Sequence, residues 1–181
     1  MKHEKKYINI LNTEIKPVEI RIIKNMVVNH HYKKEWPICK YGYYAFGIYY
    51  NSKIIGCLVY GLNDFELFNS ITKTINFDKS QLTVLRRLWI EDGYGTNIES
   101  YSISQSLKYL KKIGIKIVIT FAEDNHEHEG KIYQATNWLY QGIRKGTFHK
   151  YLYILDKKMK KNIIKDLTLP LKEYPKGEMW K

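Results

Sequence analysis

The sequence predicts a single α/β (α+β) domain, with a central mixed, mostly antiparallel sheet and helices on both faces. Three observations carry this expectation. Two runs rich in aromatic and aliphatic residues, 43–50 and 53–60, flank Asn51-Ser52, a turn that pairs them as an antiparallel hairpin. The apolar run 115–121 has strand length and no polar alternation, as a central strand covered on both faces has. Stretches with helical spacing alternate with the strands, which places helices against one sheet. The 181 residues suffice for one compact core.

Taken in order, residues 7–11 alternate as a short first strand, and Pro17 suits the first turn of a helix. Ile20, Ile23 and Val27 recur at helical spacing, and that helix ends near His30-His31-Tyr32. Residues 33–37 read as an exposed loop before the hairpin. Residues 61–79 show no period and read as a long loop; 81–90 is the next strand. Thr96 and Glu99 stand in capping-box spacing ahead of a helix with Ile103, Leu107 and Leu110 on one face, closed by Gly114. After strand 115–121, a helix is predicted over 131–140, ending at Gly142, and a last strand over 151–155. On this reading a domain spans 1–156, and a basic tail, 157–181, packs on it or extends from it.

The formal charge of +12 points to a polyanionic partner or to a lysine-rich compositional bias. Cys39 and Cys57 are far apart, which excludes a cysteine-based zinc site and suits reduced thiols in a cytoplasmic protein. No window approaches the ~20 apolar residues of a membrane span, and no signal-peptide pattern follows Met1. The expectation is a soluble cytoplasmic protein that does not engage a membrane.

The segment richest in chemistry runs Thr120-Phe121-Ala122-Glu123-Asp124, then His126, His128 and Gly130, then Ile132-Tyr133-Gln134-Ala135. It reads as a buried strand delivering Asp124 at its C-terminal end, where open α/β sheets bind ligands. Asp124 suits a general base, or a cap for the next loop or helix. His31 and Tyr32 at a helix end suit a catalytic pair, or a C-terminal cap. With Asp124 they make a candidate set for a divalent metal; Asp124, His126 and His128 are a competing local set. Tyr133, with Asn137 and Tyr140 on one predicted helix face, suits protonation of a leaving group, or aromatic packing. Arg87 suits anion binding, or a structural pair with Glu99 or Asp124.

The blocks Leu85-x-Arg87-Leu88-Trp89, Asn97-x-Glu99-Ser100, Ala122-x-Asp124 and His128-x-Gly130-x-Ile132-Tyr133-Gln134-Ala135-x-Asn137-Trp138 resemble the Mom family. His31-Tyr32 and Phe46-Gly47 also fit, and the likeness spans about residues 25–142. Those are phage-encoded DNA adenine-modification proteins. The resemblance implies a fold related to the GNAT acyltransferases. It also implies conversion of adenine in phage DNA, inside the bacterial host, to a carbamoylmethylated base that resists restriction. It implies functional roles for His31, Tyr32, Arg87, Ser100, Asp124 and Tyr133, and raises a metal such as iron.

The donor is unknown. Ordinary GNAT enzymes hold the CoA pyrophosphate on a glycine-rich loop before a helix. Here only Gly93-x-Gly95 stands there, with Asn97 and Ser100 as further candidate contacts, and Glu99 adds negative charge. Acyl-CoA binding in the usual way is therefore not expected. Double-stranded DNA is the expected partner, contacted by Lys33 and Lys34 with Trp36, and by the lysines of the tail, with Trp36, Tyr41 or Tyr43 to stack on a base. A homodimer is left open. Two other readings remain: a GNAT-like N-acyltransferase acting on a small amine or protein lysine, and a basic nucleic-acid-binding protein without catalysis.

Overall fold

The computed structural model describes residues 10–63, 71–94, 97–123 and 130–175. The described chain forms β1 (Thr13–Pro17), α1 (Ile20–His30), β2 (Tyr41–Tyr50), β3 (Lys53–Leu62), β4 (Leu82–Ile90), α2 (Ile98–Lys112), β5 (Ile117–Glu123), α3 (Lys131–Ala135), β6 (Leu139–Arg144), β7 (Phe148–Ile154) and α4 (Lys160–Asp166). The strands make one seven-stranded sheet in the order β1-β2-β3-β4-β5-β7-β6. Only β4 and β5 pair in parallel; every other neighbour is antiparallel.

Alternation along the strands builds two opposed cores. Phe46, Leu58, Tyr60, Val118 and Tyr151 point to the face covered by α2 and α3, and pack there with Ile103, Leu107, Leu110 and Tyr133. The intervening residues point the other way. Cys57 and Val59 meet Ile23 and Val27 of α1, while Ile117, Ile119 and Leu152 meet Ile163 beside Leu167. β5 is thus covered on both faces, as its uninterrupted apolar run requires. The hairpin turn Asn51-Ser52 has positive φ at both residues (46° and 66°), the geometry that matches the twist of paired strands.

Several expected boundaries move. The first described strand is Thr13–Pro17, and residues 7–9 lie outside the described residues. Pro17 closes that edge strand instead of opening the helix, since an edge tolerates a residue with no N–H. The described N-cap of α2 is Asn97, and its side chain makes no capping bond; Thr96 lies outside the described residues. The helix expected over 131–140 stops at Ala135. Thr136 Oγ1 bonds back to the Ile132 carbonyl at 2.8 Å, and Asn137 turns left-handed (φ 60°). The rest of that stretch becomes β6, so Tyr133, Asn137 and Tyr140 share no helix face. Within the tail, 160–166 is helical and its Ile163 is fully buried.

Candidate active site

The site begins with a pairing fault. β4 and β5 are in register only from Leu82 opposite Ile117 to Leu85 opposite Thr120. On the other side of β4, Val59 faces Arg87 and Tyr60 faces Leu85, so Arg86 is bulged out of the β3 ladder. Beyond the bulge, β4 stays with β3 while β5 stays with β7, and the two strands part. Thr120 Oγ1 donates to the Leu85 carbonyl at 3.3 Å and marks the apex of the fork.

Two clefts open at this fork, one toward each face of the sheet. The first, about 350 Å³, lies on the α2–α3 side and is lined by His31, Tyr32, Glu99, Glu123 and Tyr133 among others. The second, about 630 Å³, lies on the α1–α4 side. Tyr32, Leu85, Arg86, Arg87 and Phe121 border both.

His31 is 5% exposed and follows α1 directly. Its Nδ1 accepts from the Lys33 amide at 3.2 Å, which puts the proton of the neutral ring on Nε2. Burial, then Arg87, then Lys33 push its pKa down to about 4, so the ring is neutral near pH 7. Tyr32 lies 4.3 Å from the His31 ring and is 53% exposed, at the rim between the clefts. Burial, with the Glu123 carboxylate, pushes its phenol above the usual range. Lys33 reaches Glu123 at 3.8 Å, tying the corner after α1 to the end of β5.

Arg87 is a strut for that corner. It is 7% exposed; its Nε and Nη2 donate to the Glu35 carbonyl and carboxylate, each at 3.3 Å, and Nη1 to the Arg86 carbonyl at 2.8 Å. The structural partner is Glu35, not Glu99, and Asp124 lies outside the described residues. Tyr133 is 8% exposed, and burial pushes its pKa up to about 12, so it presents a protonated hydroxyl beside Thr120.

Other expected residues stand elsewhere. Ser100 borders neither cleft; its hydroxyl donates to the Asn97 carbonyl at 3.0 Å. Gly93 (φ 92°) and Asn97 flank the same connection and also border neither cleft, while Gly95 lies outside the described residues. Trp36 packs on Tyr43 at 6.0 Å against the α1 core, and the Tyr43 hydroxyl donates to the Pro37 carbonyl; both rings are half-buried, and neither borders a cleft. Lys34 is exposed in the turn after α1 and borders neither cleft, whereas Lys33 borders the second. Asp124, His126 and His128 lie outside the described residues. Glu99, Glu123 and Lys131 were missed as lining residues; Glu99 looked like a capping residue, and only its adjacency to Asp124 flagged Glu123.

The described residues do not fit a metal as they stand. A ligating histidine normally donates from its other nitrogen, and here that nitrogen accepts an N–H. Tyr32 is held protonated, and Arg87 and Lys33 already supply positive charge. Among the described residues no cluster of three His, Cys, Asp or Glu side chains is placed to hold an ion.

The family model of the Mom protein family matches residues 12–150. The chain belongs to the Mom family. The methylcarbamoylase Mom of Escherichia phage Mu is 24% identical to it over 140 residues, covering 75% of this chain. The chain spans 56% of that relative's length. Among solved structures, it resembles a spermidine/spermine N-acetyltransferase of Vibrio cholerae (TM-score 0.59, 9% identity, 83% of this chain and 97% of that one). An acetyltransferase of Thermus thermophilus is similar to it as well (TM-score 0.57, 14% identity, 81% and 99%). This Mom-family chain therefore has the GNAT acyltransferase fold.

Proposed function

We propose that the protein transfers a carbamoylmethyl group to the N6 amine of adenine in double-stranded DNA and so shields that DNA from restriction. One observation carries the reading: His31, Tyr32, Tyr133 and the end of β5 converge on a single cleft at the fork of the sheet. The family membership and the Mu relative support the same chemistry.

The adenine amine inside a duplex is out of reach, so the base is extruded. Tyr32, half-exposed at the rim, offers its ring for stacking. His31 holds a fixed neutral tautomer whose Nε2–H donates to an acceptor on the base or the donor. In the transfer, the N6–H bond and the bond from the carbamoylmethyl carbon to its leaving atom break, and an N6–C bond forms. The leaving atom keeps the electron pair. Asp124, next in sequence to the cleft-lining Glu123, takes the N6 proton, and the Tyr133 hydroxyl donates to the leaving atom. The donor required is a carbamoylmethyl group on an activated leaving atom.

Mass spectrometry of nucleosides from cells expressing the protein tests this. The expected result is a carbamoylmethylated deoxyadenosine that disappears with Tyr32→Ala, His31→Asn or Asp124→Ala. Unaltered deoxyadenosine with the intact protein overturns the reading.

A further inference from the structure

The transfer chemistry proposed above lies in the first cleft, and the second is lined differently. Lys33, Arg86, Arg87, Arg144, Lys145 and Lys150 line it, and no carboxylate does among the described residues. Two of these cations are already balanced from outside: Arg87 by Glu35, and Lys33 by Glu123. Lys150 is different. It sits on β7 opposite Phe121, is 4% exposed, and its side chain makes no hydrogen bond or ion pair with any described residue. Arg144 and Lys145 lie beside it at the β6–β7 turn, where Lys145 (φ 49°) and Gly146 (φ 77°) reverse the chain, and their side chains make none with the described residues either.

A buried ammonium with a neighbouring guanidinium and no counter-charge among the described residues costs stability unless an anion arrives. Burial and Arg144 push the Lys150 pKa down to about 8, as an unmet cation in such a place requires. The volume of about 630 Å³ suits one nucleotide unit. The cationic lining runs from buried Lys150 out to exposed Lys145, which tracks a chain of phosphates better than a single enclosed ion. Tyr32 and Phe121 stand between this cleft and the first.

We propose that the second cleft is the phosphate seat for the DNA substrate: Lys150, Arg144 and Lys145 grip the backbone beside the extruded adenine, whose base crosses Tyr32 into the first cleft. This rests on the proposed transfer to adenine, and it places the DNA backbone on one face of the sheet and the transfer chemistry on the other.

The test is the affinity of the full chain for a short adenine-containing duplex, measured by fluorescence anisotropy across a salt series. Lys150→Met should weaken binding about tenfold and lower the slope of log affinity against log salt by about one, as loss of one phosphate contact does. Its melting temperature should rise, because a buried charge with no partner among the described residues has been replaced by an apolar side chain of similar length. Lys150→Arg should keep the slope. Lys145→Glu, at an exposed turn, leaves folding untouched and should weaken binding in the same direction. Unchanged affinity and slope in both Lys150→Met and Lys145→Glu overturn the proposal. Unchanged duplex affinity with loss of modified adenine in cells assigns the cleft to the donor, and also overturns it. If the intact protein modifies no adenine but its duplex affinity still depends on Lys150, the phosphate seat stands and the catalytic reading falls.

Discussion

His31 gives the site a pH dependence that can be read in solution. Its folded pKa, about 4, lies below the ordinary value of 6.5, so the unfolded chain binds the extra proton between those values. The stability its neutral ring confers is whole above pH 6.5 and is lost as pH falls through 4. Over that window the loss is roughly 2–3 kcal/mol. Urea unfolding at pH 7 and pH 4.5 should therefore show a larger fall for the intact protein than for His31→Asn. Glu99 carries a second prediction. It is half-buried in the first turn of α2 and lines the first cleft, where a carboxylate charge would disfavour an incoming pyrophosphate. Titration calorimetry with CoA should show no micromolar binding. The places of His31, Tyr32 and Tyr133 along the first cleft were legible because a helix end and a strand–helix junction are local features. The packing of Trp36 on Tyr43 was not legible, because it is settled by a strand some distance along the chain.

The short helix α3 shows how one residue sets an element. Gly130 is its N-cap at φ 74°, and a Cβ there would sit 2.5 Å from the Tyr151 ring and 3.0 Å from that of Tyr133. Gly130→Ala combines left-handed strain with overpacking, at a cost of about 2–4 kcal/mol. Thermal unfolding checks the stability loss, and the same variant should reduce activity by displacing the Tyr133 hydroxyl. Periodicity failed just downstream. Tyr133, Asn137 and Tyr140 mimic a helical face, but the left-handed turn at Asn137 releases the chain into β6. There Tyr140 meets His149 Nδ1 at 2.7 Å. The hairpin and the α2 helix were legible because their apolar spacing and the Asn51-Ser52 turn act over a few residues.

Across the whole molecule, the C-terminal segment holds the sheet edge together. Ile163 of α4 is fully buried and Leu167 nearly so; beyond them Gln141 Nε2 donates to the Leu169 carbonyl, and the Lys172 amide to that of Tyr140. Ile163→Ala should cost about 2–4 kcal/mol by cavity formation, seen as a lower urea midpoint. Thr168 and Leu169 also wall the second cleft, so the segment expected to pack on the domain or extend from it contributes to that cleft. Alternation, turn chemistry and helical spacing were enough to establish a mixed sheet with helices on both faces, because each acts between near neighbours. The fork between β4 and β5 was not readable there. It depends on a one-residue slip at Arg86 against β3 and on which strand β5 keeps as partner, and both are contacts between distant parts of the chain. The same holds for the gathering of Lys33, Arg87, Arg144 and Lys150 around one cavity. Charge can be counted along a chain, but its convergence is a property of the folded sheet.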